Sequence, residues 1–510
     1  MSEIDTSEII FYLSSSEELK QIDRENIIIL NLISWDDWFT YSTLFSVTYF
    51  DSLGTRFRLG STKIGSKGMK HRTPNFPEKF VEIGEDFFSL GQDISFYENL
   101  NNISENFREF VLNALNDLAY NNEIYALYSN EKVVSSSLMR DISKVSLEGQ
   151  YRRLAQGISQ LTTYKFKFVG PKHPKSFSAA MEMFFTVEPK SNPPTNIHVI
   201  IGRNGVGKTH LFNNMINSLI IPNSNKFGYF KSDERIKSDF FANLISVSFS
   251  VFEDKTPIEE IRSKKEINYS YIGLKTEKDG KIIIKSPTVL KNEFSKSILK
   301  CFLTGKKQRW LRAVSVLETD PIFQESEISK IAEVKGVEEI KNYASEVFIK
   351  LSSGHKIILL TMTRLVETIE EKSLVILDEP ETYLHPPLLS AFIRALSDLL
   401  IHRNAVSIIG THSPVVLQEV PKSCVWKLRR KGFESKAERL EVESFGENVG
   451  ILTREVFGLE VTNSGFHNIL KDLIEKSDNY PEAMSYLENQ LGFEGKAILR
   501  NLLLDSYEEN

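Results

Sequence analysis

Residues 202–209 read GRNGVGKT and lie between a short apolar stretch, HVII at 198–201, and the stretch HLFNNMINSLI at 210–220. The eight residues match the pattern GxxxxGK[ST] without a mismatch, in the required order of strand, loop and helix. Glycine permits backbone angles that turn consecutive N–H groups towards an anion, and the following helix adds its positive end. The sequence therefore predicts a phosphate-binding loop rather than an ordinary glycine-rich turn.

Every residue of this loop is a candidate contact to a nucleotide such as ATP. Lys208 is expected to reach the β- and γ-phosphates, and the hydroxyl of Thr209 is expected to ligate Mg²⁺. The candidate ATP-binding residues of the loop are Gly202, Arg203, Asn204, Gly205, Val206, Gly207, Lys208 and Thr209.

A second apolar stretch, residues 374–377, is followed by Asp378, Glu379 and Pro380. Four apolar residues without alternation indicate a buried central strand of a parallel sheet. The carboxyl end of such a strand is where open α/β sheets place their ligands. We therefore expect Asp378 to hold Mg²⁺ and Glu379 to act as the general base that activates water. Alone, the two acids could equally be a strand-end turn, but the upstream loop favours the catalytic interpretation.

Two further segments help to define the class of nucleotide-binding protein. The strand-like residues 405–410 end in THSP, which places His412 at the same sheet edge, within reach of a γ-phosphate. The segment LSSGHK at 351–356 precedes a helix-like run, and its Ser352 and Gly354 form a second candidate anion site at a helix N-terminus. A lone histidine is more often structural, so the assignment of His412 depends on its position.

In this order, GRNGVGKT, LSSGHK, LVILDEPETYLHP and THSP resemble the ABC-type ATPase heads of the RecF/SMC and OLD (overcoming lysogenisation defect) superfamily. The resemblance implies an α/β fold with a mixed sheet around the phosphate loop, an antiparallel β lobe and a helical lobe that carries the signature segment. It also implies that Ser352 and Gly354 act in trans, capping ATP held by another subunit, so that two ATP molecules join a homodimer or higher homo-oligomer.

The sequence departs from the family pattern at two places. LSSGHK differs from the usual LSGGQ or LSGGE at Ser353 and His355. After the strand-like residues 244–252, the glutamine that usually senses Mg²⁺ and the γ-phosphate is missing, and Ser250 or Glu253 are the available substitutes unless this is simply a strand end. Both departures weaken the expectation of ATP turnover.

The segments divide the chain into five predicted regions. Residues 1–190 contribute N-terminal strands and a helical region to the ATPase head, 191–253 form the half of the core with the phosphate loop, and 254–349 form an inserted lobe. Residues 350–425 carry the signature, the second acidic motif and His412. Residues 426–510 are expected to form a helical tail that docks a partner or packs on its own core.

Composition limits the other possibilities. The 510 residues include 62 basic and 68 acidic side chains, a formal charge of −6, so any nucleic-acid site must be a local patch. Cys301 and Cys424 stand too far apart for a metal or redox motif. The N-terminal segment lacks a signal-peptide pattern, and no apolar run is long enough to cross a bilayer. We expect a cytoplasmic protein with no membrane contact.

The inserted region is basic and aromatic. Such residues could contact nucleic acid, although a solvated surface is the commoner explanation. A second small cluster lies at Lys427, Arg429, Arg430 and Lys431, with the same two explanations. The basic and aromatic residues of the inserted region are Lys291, Lys296, Lys300, Phe302, Lys306, Lys307, Arg309, Trp310 and Arg312.

The segments WDDWFTYSTLFSVTYFD at 35–51 and ILTREVFGLEVTNSGFH at 451–467 resemble bacterial defence ATPases of the Septu type, some of which accompany retrons. That resemblance implies a multimeric ATPase that works with a separate HNH nuclease, and in the retron case with a reverse transcriptase and its RNA/DNA product. The chain shows no nuclease motif of its own after His412. Two alternatives remain open: a RecF-like DNA-repair ATPase, and a scaffold that binds ATP with little turnover.

Overall fold

The computed structural model describes most of the chain. One sequence prediction, the candidate Glu253, falls outside the described residues. Parts of both Septu-like segments, 35–40 and 459–464, also lie outside them. The described residues are 6–33, 41–70, 72–157, 163–172, 179–189, 191–221, 225–232, 241–250, 258, 260–261, 267–278, 280–304, 306–432, 434–458, 465–474, 476–477 and 479–508.

Within these residues the strands are β1 (Ile10–Leu13), β2 (Ile27–Leu32), β3 (Leu44–Phe50), β4 (Arg56–Ser66), β5 (Lys79–Phe80), β6 (Phe87–Gly91), β7 (Tyr164–Val169), β8 (Glu182–Val187), β9 (Ile197–Ile201), β10 (Tyr229–Ser232), β11 (Asn243–Ser248), β12 (Asn268–Gly273), β13 (Lys275–Lys278), β14 (Lys281–Ile284), β15 (Leu374–Asp378), β16 (Val406–Thr411), β17 (Val425–Lys431) and β18 (Glu434–Glu438).

The α-helices in the same residues are α1 (Ile94–Ile103), α2 (Glu105–Ala114), α3 (Asn122–Tyr128), α4 (Lys144–Ser146), α5 (Arg152–Ala155), α6 (Lys208–Ile220), α7 (Pro287–Leu303), α8 (Lys307–Leu317), α9 (Pro321–Glu325), α10 (Val337–Lys350), α11 (Ser353–Thr368), α12 (Pro386–Ile401), α13 (Pro414–Leu417), α14 (Val449–Phe457), α15 (Phe466–Ile474), α16 (Tyr480–Tyr486) and α17 (Phe493–Glu508).

A seven-stranded sheet forms the centre of the fold, in the order β12-β11-β15-β16-β9-β17-β18. All neighbouring pairs are parallel except β17 and β18, which pair antiparallel, so the sheet is mixed as predicted. The strands β9 and β15 are buried along their whole length, which explains why their sequences are apolar without alternation. The protein thus has the predicted α/β fold with a mixed central sheet.

The two faces of this sheet carry different layers. On one face, alternate residues of β9 and β15 pack into a large core with helices α7, α8 and α10–α12, which form the helical lobe that bears the signature segment. On the other face lie α6 and the antiparallel sheet β10-β7-β8, whose aromatic residues form a second core. The antiparallel lobe and the helical lobe of the predicted fold are therefore both present.

The N-terminal strands correct one prediction. Strands β1–β6 form a separate six-stranded sheet, in the order β5-β1-β2-β3-β4-β6, with its own hydrophobic core. Only β7 and β8 of the predicted region 1–190 join the antiparallel lobe. We call the described residues between 6 and 157 the N-terminal unit. The apolar side chains of this unit pack against one another. Sequence periodicity cannot distinguish this arrangement from packing against the central sheet.

The predicted helical tail needs a second correction, because its first residues are strands of the central sheet. Val425, Trp426 and Lys427 of β17 pair with Val199, Ile200 and Ile201 of β9. The basic residues of β17 suggested a surface patch. The strand was therefore not predicted, although Val425, Trp426 and Leu428 are buried. Beyond β18 the described regular elements are the helices α14–α17, and α15–α17 share a small core of their own.

The basic residues of the inserted region also differ from expectation, because several of them are used inside the protein. Lys300 Nζ lies 3.0 Å from Glu367 Oε1 and 3.1 Å from Asp141 Oδ1. Lys306 is buried and donates to a main-chain carbonyl, and Trp310 Nε1 donates to Thr363 Oγ1 over 3.0 Å. These side chains therefore form neither a nucleic-acid surface nor a solvated face.

One buried carboxylate, that of Asp93 at the start of α1, joins the N-terminal unit to the rest of the protein. Arg309 of α8 pairs with it, and Arg403 Nη2 lies 2.9 Å from its Oδ2. Asp93 also caps α1 by accepting the N–H of Ser95 over 2.9 Å. The carboxylate is only 4% exposed, so its ion pairs are shielded from water and salt.

We expect Asp93→Ala to destabilise the protein by about 3–5 kcal/mol, because it leaves two buried guanidinium groups without their shared partner. Chemical denaturation measures the loss. Glu338→Ala is the control, since Glu338 forms an exposed ion pair with Lys341 that contributes little. Equal stability of the Asp93 variant and the control would show that the arginines find other partners.

No helix in the described part of the chain is both long enough and apolar enough to cross a membrane.

Candidate functional site

The phosphate loop has the backbone that its sequence predicts. Strand β9 ends at Ile201 and helix α6 begins at Lys208, with Gly205 and Gly207 between them at φ of +78° and +102°. A side chain at either glycine would be strained in this left-handed region. Gly202 is constrained differently, because an added Cβ would lie 2.7 Å from the carbonyl oxygen of Leu428.

Lys208 lies inside the loop, where its ammonium group is held by main-chain carbonyls. Its Nζ donates to Gly202 O over 2.9 Å and to Arg203 O over 3.3 Å. Burial lowers the pKa of Lys208, an effect partly offset by the carboxylates of Glu379, Asp378 and Glu381. The cation is therefore desolvated and close to three acids, a setting in which it would interact strongly with phosphate oxygens.

The other residues of the loop lie around this lysine. Val206 is buried against the core below the loop, whereas Arg203 and Asn204 are exposed. The guanidinium of Arg203 donates to the carbonyl of Phe457 at the end of α14 over 3.3 Å. Arg430 of β17 was predicted only as part of a basic cluster, but its Nη1 lies 3.9 Å from where a Cβ on Gly207 would stand.

Thr209 and Asp378 meet across the sheet edge. The hydroxyl of Thr209 donates to Asp378 Oδ2 over 2.7 Å, although the residues are 169 positions apart in sequence. The order β15-β16-β9 brings the ends of these strands together. Mg²⁺ prefers hard oxygen ligands, and the pair offers one hydroxyl and one carboxylate oxygen, so the residues present fit the predicted metal.

Glu379 follows directly in an unusual backbone conformation. Its φ is +49°, and its N–H donates to Gly410 O on the neighbouring strand over 2.9 Å. Such a conformation costs a non-glycine residue roughly 1–3 kcal/mol and is typical of functional positions. It leaves the Glu379 carboxylate partly exposed, with its Oε1 3.9 Å from His412 Nδ1. The two predicted catalytic residues therefore share one side of the site.

Sequence reasoning missed a third acid, Glu381. Its Oε1 accepts the Thr411 hydroxyl over 2.6 Å and the N–H of His412 over 2.8 Å, and it lies 3.1 Å from His412 Nδ1. Glu381 therefore fixes the segment that carries His412. The sequence DEPE could have indicated a role for Glu381. The helical turn Pro380–Tyr383 follows β15 directly and keeps Glu381 at the same sheet edge.

The signature residues do not join this site in their own chain. The hydroxyl of Ser352 bonds to His355 Nδ1 over 2.6 Å, on the same helix terminus, and not to the phosphate loop. Gly354 is packed so closely that an added Cβ would lie 2.7 Å from Tyr383 O. Ser250, one substitute for the missing glutamine, lies just after β11, which ends at Ser248, earlier than predicted.

Together these features are those of a P-loop ATPase of the ABC kind. The phosphate loop, the pair Thr209 and Asp378, Glu379 in its left-handed turn and His412 after β16 all meet at one sheet edge. Residues 325–418 match the family described as "AAA domain, putative AbiEii toxin, Type IV TA system". The chain is 40% identical to protein ea59 of Escherichia phage lambda over 510 residues, covering 95% of this chain and 96% of that protein. The chain belongs to the family of phage lambda ea59.

Solved structures that resemble this chain include other nucleotide-binding proteins. The ADP form of an ATP-binding cassette from an ABC transporter is 13% identical, with 59% of this chain and 98% of that chain covered and a TM-score of 0.31. UvrA2 from Deinococcus radiodurans is 14% identical, with coverage of 52% and 37% and a TM-score of 0.26. An SMC head bound to a winged-helix domain of ScpA is 12% identical, with coverage of 55% and 98% and a TM-score of 0.27.

Proposed function

We propose that this protein binds ATP with Mg²⁺, dimerises around two ATP molecules, hydrolyses them, and regulates a partner effector nuclease in bacterial antiviral defence. Lys208 and the amides of 202–209 hold the triphosphate, while Thr209 and Asp378 hold Mg²⁺. Glu379 activates the attacking water, and His412 contacts the γ-phosphate. Bound Mg²⁺ would neutralise developing phosphate charge.

The observation that supports ATP chemistry most directly is the 2.7 Å contact between Thr209 and Asp378. It brings the two predicted metal ligands together at the mouth of the loop that contains Lys208. Glu379 and His412 lie within 3.9 Å of each other at the same edge. One bound triphosphate could therefore contact the Lys208 ammonium, a Mg²⁺ held by Thr209 and Asp378, and a water activated by Glu379 at the same time.

Dimerisation is supported by the contact that Ser352 makes. A water-excluding cap is needed over the γ-phosphate, and Ser352 is bonded to its own His355 instead of to the loop of its own chain. The N-terminus of α11, with Ser352 as its first flanking residue, is a suitable anion cap for a second copy of the chain. Each subunit would thus complete the site of the other.

The defence role is supported by sequence likeness rather than by geometry. The matched family description names an AbiEii toxin and a toxin–antitoxin system. Two segments resemble Septu-type ATPases, which implies an HNH nuclease partner and, where a retron is present, a reverse transcriptase with its RNA/DNA. The proposal therefore includes a cytoplasmic homo-oligomer that acts through such a partner.

A scaffold that binds ATP with little turnover is the second candidate. It is favoured by the hydrogen bond that occupies Ser352 and by the absence of a glutamine in 248–253. Such a scaffold would hold a nuclease inactive until infection disrupts the complex. A RecF-like repair role lacks a comparable observation, because much of the expected basic surface is used inside the protein.

Steady-state ATP hydrolysis tests the proposal, measured with Mg²⁺ for the chain alone, with duplex DNA, and after co-expression with the products of adjacent genes. We expect Mg²⁺-dependent turnover, together with reduced phage plating when the adjacent genes are present. ATP binding without turnover would favour the scaffold. Turnover that requires DNA and falls steeply with salt would favour repair. Absence of ATP binding would contradict all three functions.

A further inference from the structure

A cavity of about 550 Å³ lies beside the signature segment, in a part of the molecule that the proposed ATP chemistry does not use. Its walls come from β12, the end of β14, the start of α7, the end of α10 and the first half of α11. Phe249, just after β11, and Tyr383 also line it. None of residues 202–209 of the phosphate loop is among the lining residues, so this is a separate site.

Most of the side chains that line this cavity are apolar. The buried part of the wall includes Ile272, Phe348 and Ile357. Two other lining residues, Ile284 and Ile349, are 61% and 58% exposed to solvent. Cavities of this volume with largely apolar walls are typical of sites for small molecules. A ligand that covered these side chains would gain free energy by removing apolar surface from water.

The charged residues that line the cavity all carry the same sign. They are Lys285, Lys291 and Lys356, and no Asp or Glu is among the described lining residues. The ammonium group of Lys285 is already paired, 2.9 Å from Glu293 Oε2. Lys291 and Lys356 are half-buried and have no ion-pair partner in the part of the chain that the structure describes. The cavity therefore combines an apolar wall with two cations that are available to an anion.

We propose that this cavity binds a small amphiphilic anion, whose apolar chain lies against Ile357 and Leu360 and whose acidic group is held by Lys291 and Lys356. The stems of lysine side chains can pack along an apolar wall while their ammonium groups stay at the water boundary, which suits a ligand with one charged end. The inference goes beyond the proposed function, because ATP binding and hydrolysis do not use these residues.

The position of the cavity gives such a ligand contact with two segments of the proposed ATPase. Ser353, the first residue of α11, lines the cavity and directly follows Ser352 of the signature. Tyr383 ends the helical turn that follows Glu379. These two segments already pack together, since a Cβ on Gly354 would lie 2.7 Å from Tyr383 O. The bound ligand would therefore lie where the signature helix meets the catalytic turn.

Isothermal titration calorimetry of the full chain without nucleotide tests the proposal, with decanoate below its micelle concentration as the probe. We expect saturable binding at a single site. Octanoate lacks two CH₂ groups and should bind about 15-fold more weakly, because each buried CH₂ contributes about 0.8 kcal/mol. Decanol has the same chain without the charge and should bind about fivefold more weakly than decanoate, the upper range for partly exposed ion pairs.

Two lysine substitutions test the charged end of the site. The double variant Lys291→Ala, Lys356→Ala should bind decanoate about fivefold more weakly and should bind decanol as the parent does. Lys350→Ala is the matched control, because Lys350 is an exposed lysine on α10 that does not line the cavity. It should bind both compounds as the parent does.

Two tryptophan substitutions test the apolar end by filling the cavity. Leu290→Trp and Ile284→Trp should each weaken the binding of decanoate and of decanol together. Leu290 is half-buried, whereas Ile284 is exposed, so Ile284→Trp should fold even if the larger side chain at Leu290 disturbs α7. Thermal unfolding without ligand shows which variants are folded.

Each contrary result overturns a stated part of the inference. Absence of saturable decanoate binding would exclude the ligand class, and equal affinities for decanoate and decanol would exclude recognition of the anion. Binding that persists unchanged in both folded tryptophan variants would place the ligand elsewhere. A second copy of the chain would be the occupant instead if decanoate does not bind and hydrogen exchange in α11 slows only in the ATP-bound dimer. Because decanoate is titrated without ATP, its result is independent of whether the protein binds ATP.

Discussion

Replacing Lys208 by alanine is expected to lower the affinity for ATP at least about 100-fold, because a triphosphate would lose two or more charge-assisted hydrogen bonds of roughly 1.5–3 kcal/mol each. The protein itself should not lose stability, since burial already disfavours the Lys208 ammonium and its hydrogen bonds are to two loop carbonyls. Thermal unfolding with and without ATP and Mg²⁺ separates these effects. The unfolding temperature of the parent should rise with ATP, and that of the variant should not.

Lys436→Ala is the matched control for this experiment. Lys436 is an exposed lysine on β18 whose ammonium lies 2.7 Å from Glu438. It should keep full ATP-dependent stabilisation. Stabilisation by ATP that persists in Lys208→Ala would mean that 202–209 do not hold the triphosphate, and the interpretation of the whole site would then be wrong.

Replacing Glu379 by glutamine is expected to keep ATP binding and to slow hydrolysis by about 10²–10⁴-fold, the range for loss of a general base. Because Glu379 keeps its left-handed backbone and Gly410 contact through main-chain atoms, the variant should fold normally. Without hydrolysis the ATP-bound dimer cannot open. Size-exclusion chromatography with ATP and Mg²⁺ should therefore show a long-lived dimer that the parent forms only transiently.

Glu434→Gln, at an exposed position on β18, provides the comparison for loss of one negative charge. It should hydrolyse ATP as the parent does. ATP hydrolysis at the parental rate in Glu379→Gln would show that Glu379 is not the general base. Glu381, which lies at the same sheet edge, would then be the candidate for that role. A dimer that appears without nucleotide would show that dimerisation does not depend on ATP.

The central sheet could be predicted from sequence because its signals are local. The strands β9, β15 and β16 are apolar runs that end in residues with chemical roles, and parallel pairing then dictates that those ends meet. The N-terminal unit could not be separated from the ATPase head in the same way. Strands that pack on their own helices have the same periodicity as strands that pack on a distant sheet.

The side-chain contacts that sequence reasoning missed join distant positions. Lys300 and Arg309 look like surface charges in the sequence. In the structure Lys300 pairs with Asp141 and Arg309 pairs with Asp93, each more than 150 residues earlier in the chain. The bond from His355 to Asp320 spans 35 residues and two helices. Motif spacing carries no information on such pairs, whereas the phosphate loop is defined entirely by neighbours in sequence.

The carboxylate of Asp93 has a mechanical consequence. Its two arginines come from separate segments of the chain, Arg309 from α8 and Arg403 from the turn between α12 and β16. Turning the lobe against the sheet would have to break a buried ion pair or carry the first 150 residues along with it. Any rearrangement that turned α8 would thus be coupled to the N-terminal unit through this one carboxylate.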